Sequence, residues 1–256
     1  MDPKRRFSNR AGNYERHRPG YPAEVLTFIE AACGLSETSA VADVGCGTGL
    51  LSGLFLEGGY RVFGVEPNRE MREAAERRLG SYPRFESVAA AEEATTLAVA
   101  SVDLVASGNS FHWFDAEAAR AEFSRVLKPG GHVAVVLNAP AKTGTPFLEA
   151  HARLLSEHGT ESGGRIGAYE SIEDLYGGVE AFFAEGGYET ACFPSTRRLD
   201  FEGLRGLVFS YSTMPAEDGP GSEALLRDLE AAFRANESGD RVVVEYVARV
   251  YCGRPG

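Results

Sequence analysis

Apolar and polar residues alternate along the first half of the chain in a pattern that switches period again and again. An apolar run, Ala40 to Val44, breaks into Gly45-Cys46-Gly47-Thr48-Gly49. It resumes at helical spacing with Leu50, Leu51, Leu54 and Phe55, then closes on a second apolar run, Val62 to Val65, that ends in Glu66. That order predicts strand, tight turn, helix and strand, which is one parallel crossover unit with its loop at the carboxyl end of the first strand. Ligands of such sheets bind at that edge.

The same reading extends to both sides. Val25, Leu26, Phe28 and Ile29 give Ala23 to Ala32 an apolar helical face that Gly34 ends. Asn68 is placed to cap a helix with Met71, Ala74, Ala75 and Leu79 on its apolar side. Phe85 to Ala89 and Val102 to Ala106 read as the third and fourth strands, and Asp115 caps a helix over Ala116 to Leu127. Pro129 and Gly130 suit the centre of a type II turn, and His132 to Leu137 is the fifth strand. This alternation predicts an α/β fold, a mostly parallel sheet with helices on both faces.

Beyond Ala139 the alternation lapses. A helix is predicted over Phe147 to Leu155, then a Gly- and Ser-rich loop or hinge over Ser156 to Gly167. Short helices follow within Glu170 to Tyr188, and a strand end and helix within Arg197 to Tyr211. Leu225 to Phe233 is amphipathic, and Val242 to Val250 alternates as a last strand, the seventh. The chain divides on this basis into an N-terminal cover (1–22), a core (23–139), an insertion with strand six (140–211) and a final helix and strand (212–256).

Composition narrows the picture. The 256 residues are 43% hydrophobic and 25% charged, ordinary for a soluble globular protein. A net charge of −11 argues against a generic basic face for nucleic acid. Cys33, Cys46, Cys192 and Cys252 are scattered without a C-x-x-C pairing, so reduced thiols and no metal site are expected. The N-terminus lacks an apolar signal core, and no run of about 20 apolar residues occurs, which predicts a cytoplasmic protein with no membrane partner.

The turn carries the candidate chemistry. Glycine lets the chain reverse sharply and lets a ligand approach without a Cβ in the way. Glu66 places a carboxylate at the same edge, where it can accept hydrogen bonds from both hydroxyls of a ribose. A dinucleotide fingerprint is G-x-G-x-x-G, whereas this chain has Gly45-x-Gly47-x-Gly49 preceded by Asp43. An acid there repels a pyrophosphate and suits a cationic ligand bearing an ammonium or sulfonium.

With Asp43, the three glycines and Glu66, the chain resembles the class I S-adenosylmethionine-dependent methyltransferases. Phe7, Ala11, Tyr14, Arg18-Pro19, Tyr21-Pro22 and Phe111-His112-Trp113-Phe114-Asp115 further resemble type 11 small-molecule methyltransferases of the trans-aconitate methyltransferase-like subgroup. The resemblance implies a Rossmann-like seven-stranded sheet with a small helical insertion between strands five and six. It implies S-adenosyl-L-methionine as cofactor, S-adenosyl-L-homocysteine as product and a small-molecule methyl acceptor as partner. Asp43, Gly45, Cys46, Gly47, Thr48 and Gly49 would hold its methionine portion, and Glu66 its ribose. Pro67, Met71, Ala91 and Glu92 would border adenine, while Asn109 to His112 would separate donor from acceptor. Tyr14, Arg18, His112, Trp113 and Tyr211 would contact the acceptor. The family often carries an acid where this chain has Ala90, so a backbone carbonyl, a water or Glu92 must serve the adenine amino group.

Plainer roles stand beside several of these. Met71 serves equally as core, Tyr14 as a packing residue, Arg18 as a surface charge and His112 as a hydrogen-bonded packing residue; Phe111, Trp113 and Phe114 serve as core anchors. Methyl transfer needs a general base only for a hydroxyl or protonated amine. His112 is the first candidate for that base, ahead of Tyr14 and Tyr211. Arg18 and Arg205 make a carboxylated acceptor conceivable. Other readings are a nicotinamide dehydrogenase, a cofactor-holding protein without catalysis and a nucleic-acid methyltransferase. No pattern names the acceptor or the oligomeric state.

Overall fold

A computed structural model describes residues 11–159 and 178–256. They form two compact units. One comprises 20–138, 178–193 and 248–256, the other 11–19, 139–159 and 194–247. Neither unit is a contiguous segment. The expected pattern before residue 11, most of the Gly- and Ser-rich stretch and the start of the Glu170 segment lie outside the described residues.

Helix α1 spans Ala11–His17 and belongs to the second unit. Helix α2, Ala23–Cys33, starts after Pro22 and ends at Gly34, whose left-handed backbone donates its N–H to the Glu30 carbonyl. It buries Val25, Ile29 and Cys33, and spares Leu26 and Phe28 full burial. Strand β1, Ala40–Val44, is buried at all five positions, as a strand covered on both faces must be. Helix α3 (Leu50–Glu57) returns the chain to β2 (Arg61–Val65). Helix α4 (Arg69–Leu79) is capped by Asn68, whose side chain accepts from the Met71 N–H, and it buries the four apolar residues expected.

Strand β3 (Phe85–Val88) and strand β4 (Val102–Gly108) follow, then one 3-10 turn, Phe111–Trp113. Helix α5 (Ala116–Val126) begins under Asp115, which accepts from the Glu117 and Ala118 amides. Strand β5 runs from Leu127 to Pro140, longer than expected, because the predicted turn is absorbed into it. Leu127 pairs with Val102 and His132 with Leu104, so Lys128 to Gly131 bulge out, with Gly130 at φ +83°.

Helix α6 (Pro146–His158) takes Thr145 as its cap. A 3-10 turn, Glu180–Phe182, leads into β6 (Phe183–Leu199). Tyr188 therefore lies in a strand rather than a short helix, because pairing at the end of the sheet overrides a weak local signal. Helix α7 (Phe201–Ser210), helix α8 (Ser222–Asn236) and strand β7 (Val242–Pro255) complete the chain.

The seven strands are ordered β3-β2-β1-β4-β5-β7-β6. β1 pairs in parallel with β2 and β4, β2 with β3, and β4 with β5. The order reverses between β1 and β4, and a ligand crevice is expected outside that switch point. Val41, Phe55, Val62, Leu104 and Val136 anchor the core of the sheet unit. The second unit has its own core, including Phe147, Leu204, Val208, Leu229, Phe233 and Val244.

Candidate active site

The glycine turn leaves β1 in left-handed backbone, with φ of +68° at Gly45, +57° at Gly47 and +80° at Gly49. The amides of Gly45 and Cys46 both donate to the Val65 carbonyl, at 2.9 and 3.1 Å, which ties the turn to the end of β2. A methyl group on Gly45 would lie 2.6 Å from Ser110 Oγ, and one on Gly49 would lie 2.5 Å from Leu79 Cδ1. Glycine is thus required both for conformation and for close packing. Thr48 is buried, and its hydroxyl has no partner among the described residues.

Glu66, 8% exposed, closes on this turn. Its Oε2 accepts from the Gly47 amide at 2.9 Å and its Oε1 from the Asn68 amide at 2.8 Å. Arg72 donates to the Glu66 carbonyl at 2.9 Å. Burial pushes the carboxyl above its ordinary range, the Asn68 and Gly47 amides and Arg72 pull it back, and Glu92 pushes it up further. The Glu92 charge is therefore felt at Glu66.

Asp43 is fully buried. Ser52 Oγ donates to its Oδ2 at 2.6 Å, while Oδ1 has no partner among the described residues. Burial raises its pKa to about 7, Ser52 opposes the rise and Glu66 adds to it. Burial, then Asp43 and Glu66, raise the neighbouring Cys46 thiol. Ser52 was missed by the sequence reading, although it is the one polar residue in the run Leu50 to Leu56.

Of the residues expected around adenine, Met71 is buried, Ala90 nearly so, and Pro67, Ala91 and Glu92 are half-buried. Ala91 forms an isolated bridge with Ala94, so its carbonyl is engaged by the Ala94 amide at 3.1 Å. After β4, Asn109 sits at φ +55°. Its Oδ1 accepts from the Asn138 amide at 2.7 Å and its Nδ2 donates to the Asn138 carbonyl at 3.0 Å. The Asn109 side chain thus acts as an extra rung of the sheet and sets the chain beyond β4. Ser110 Oγ donates to the Val44 carbonyl at 3.2 Å and lies 2.8 Å from Ser107 Oγ, which ties the ends of β1 and β4 together. Phe111 is a core anchor, edge-on to Phe182 with ring centroids 5.0 Å apart. His112 and Trp113 are half-buried neighbours, ring centroids 4.6 Å apart.

The second unit brings together three other residues singled out by sequence. The Arg18 guanidinium lies 4.9 Å from the Tyr14 ring centre and 4.3 Å from that of Tyr211. Tyr211 is buried, which raises its hydroxyl pKa while Arg18 lowers it. Arg205, by contrast, is paired with Glu217 at 2.6 Å and Glu202 at 3.4 Å. Phe209 is core. Sequence reasoning missed His151, which is 1% exposed and stacked on Phe147 at 5.8 Å. Burial lowers its pKa to about 4, so it is neutral at pH 7.

Comparison with known proteins accords with this geometry. The family described as a methyltransferase domain matches residues 42–135. An uncharacterised methyltransferase of Schizosaccharomyces pombe is 28% identical over 242 residues, spanning 93% of this chain and 92% of the relative. One of Mycobacterium tuberculosis is 35% identical over 132 residues, spanning 52% of this chain and 51% of the relative. A solved structure from Anaeromyxobacter dehalogenans has a TM-score of 0.71 at 22% identity, covering 93% of this chain and 97% of that one. The S-adenosylmethionine-dependent methyltransferase of Thiobacillus denitrificans, in complex with S-adenosyl-L-homocysteine, has a TM-score of 0.50 at 19% identity, covering 98% and 99%. At those identities the structural likeness concerns the fold.

The residues present fit the group that such a family uses. S-adenosylmethionine carries a sulfonium and an ammonium, and the turn presents a buried carboxylate oxygen, Asp43 Oδ1, with no partner among the described residues. The glycines give the turn its left-handed backbone and its close packing. Among the described residues no helix is long and apolar enough to cross a membrane. The chain is a class I S-adenosylmethionine-dependent methyltransferase, with its methyltransferase domain at residues 42–135.

Proposed function

We propose that the enzyme transfers the methyl group to a nucleophilic O, N, S or C atom of a small molecule, with catalysis mainly through positioning. One observation carries the donor side of this reading: Asp43, fully buried beside the glycine turn, has one oxygen held by Ser52 and the other without a partner among the described residues. A cationic ligand gives that oxygen a charge-assisted partner, stronger than the hydroxyl of a neutral nucleoside.

When bound, the donor supplies a methyl group already activated by a cationic sulfur. The chain has to bind, align and exclude water. Asp43 and the turn of Gly45, Cys46, Gly47, Thr48 and Gly49 take the methionine portion in this reading. Glu66 accepts the ribose hydroxyls through the lone pairs that Gly47 and Asn68 leave over. Pro67, Met71, Ala91 and Glu92 border the adenine. Asn109 positions the segment that ends at His112, between donor and acceptor. His112 removes a proton when the acceptor is a hydroxyl or protonated amine, and Trp113 lies beside it. The net charge of −11 favours a small acceptor over a polyanion.

The test is transfer of label from methyl-labelled S-adenosylmethionine, with a metabolite panel in one arm and RNA, DNA and protein from an extract in another. Label in the small-molecule arm is the expected result. Label confined to the macromolecular arm overturns it.

A further inference from the structure

Asn138, near the end of β5, is 5% exposed and is held at three points. Its backbone N–H and C=O meet the Asn109 amide at 2.7 and 3.0 Å, and its own Nδ2 donates to the Gly20 carbonyl at 3.0 Å. That leaves Oδ1, which is out of water and has no partner among the described residues. A buried amide oxygen without a donor is costly, and native proteins rarely leave one so. With the rest of the residue pinned, the missing donor has to come from outside the described residues.

Position along the sheet edge decides which ligand brings it. The strands run β2, β1, β4, β5. Glu66 follows β2, the glycine turn follows β1, Asn109 follows β4, and Asn138 lies near the end of β5. With ribose at Glu66 and the methionine portion at the turn, Asn138 stands two strands further on, about 10 Å at ordinary strand spacing. The donor's ammonium already has Asp43, a charged partner on β1 itself. The remaining length of edge belongs to the acceptor.

We infer that Asn138 Oδ1 accepts a hydrogen bond from an N–H or O–H of the methyl acceptor, and so selects amines and hydroxyl compounds over acceptors that lack such a donor. The inference rests on the small-molecule reading above. An amide oxygen does not take up a proton near neutral pH, so Asn138 orients the acceptor and leaves proton removal to another group.

The test uses the full chain saturated with S-adenosylhomocysteine. It is titrated with a fixed set of small amines, alcohols and phenols, and with ionised carboxylates and ethers that carry no N–H or O–H. Asn138→Leu removes the acceptor oxygen, and Asn138→Asp keeps one. At least one amine or hydroxyl compound should bind the unaltered protein, bind Asn138→Leu about tenfold more weakly and recover in Asn138→Asp. Calorimetric affinity for S-adenosylhomocysteine should stay within about twofold in both variants. A loss of that affinity in Asn138→Leu would move the residue to the donor side and overturn the inference. Equal binding of the set by the unaltered protein and Asn138→Leu also overturns it, as does a set in which only donor-free compounds, or none, bind; Oδ1 then holds an ordered water only. Methyl transfer to the same compounds separates the two readings. Transfer with a KM that Asn138→Leu leaves unchanged defeats this inference alone, whereas no transfer to any compound defeats the small-molecule reading itself.

Discussion

Glu66 Oε2 accepts the Gly47 amide at 2.9 Å, so the acid that ends β2 and the glycine turn that follows β1 form one hydrogen-bonded unit. Two segments separated by a helix are thereby held in a single geometry before any ligand arrives. Replacing Glu66 removes more than a ligand contact.

Glu66→Ala should weaken S-adenosylhomocysteine binding about 100-fold, the loss of two hydrogen bonds to a charged group. It should also lower stability by about 1 to 3 kcal/mol, because the Gly47 and Asn68 amides lose their acceptor. Calorimetry and denaturant titration read the two effects separately. Unchanged affinity would contradict the role given to Glu66.

Asp43 should make donor binding depend on pH. With a folded pKa of about 7, the carboxylate is mostly protonated at pH 6 and mostly ionised at pH 8. A cationic ligand prefers the ionised form, so S-adenosylmethionine should bind about tenfold more tightly at pH 8 than at pH 6. Asp43→Asn should abolish that dependence. The same group also shapes stability. Its folded pKa lies above the ordinary value of 3.8, so between about pH 4 and 7 the folded form keeps a proton that the unfolded chain has lost. Stability contributed by Asp43 therefore falls as pH rises through that window, by about 4 kcal/mol.

His151 works in the opposite sense. Its pKa is lowered from 6.5 to about 4, so the unfolded chain takes up a proton first as pH falls. The stability it contributes is present above about pH 6.5 and lost on descent to pH 4, by about 3 kcal/mol. In the unaltered protein this offsets much of the Asp43 effect. His151→Gln should remove the acid-side loss and Asp43→Asn the alkaline-side loss, as read by denaturant midpoints from pH 4 to 8. Parallel profiles for the two variants would count against both assignments.

Two glycines with the same backbone requirement should differ in cost. Gly45→Ala faces a left-handed φ of +68° and a contact of 2.6 Å with Ser110 Oγ, whereas Gly59, at φ +87°, has open space around it. Conformation alone costs about 1 to 2 kcal/mol, and forced packing adds about 1 to 3 kcal/mol. For a chain of this size that predicts a Tm lower by about 10 °C for Gly45→Ala and about 3 °C for Gly59→Ala.

Most of the sheet unit was legible in the sequence, because each of its elements carries its own local cause. Asn68 and Asp115 announce their helices through short polar caps, and the fully apolar Ala40 to Val44 has no stable place except a strand covered on both faces. The strand that contains Tyr188 and the long course of β5 were not legible, since sheet pairing overrides a mixed local pattern. At the site, type and spacing pointed to Asp43, the turn and Glu66. They were silent on Asn138, a polar residue after an apolar run, and on His151, one polar position of an amphipathic helix.

By itself, then, the order of residues determined the strands and helices from Ala23 to Val126, the positive-φ turn and the two acids at the strand ends, because backbone conformation and hydrophobic period depend on near neighbours. Only the tertiary structure decided what the side chains became. It left one oxygen of Asp43 without a partner among the described residues, spent Arg205 on two carboxylates, spent the Asn109 amide on Asn138 and made His151 neutral. Hydrogen-bond partners and loss of water come from residues distant in sequence, and no local pattern encodes them.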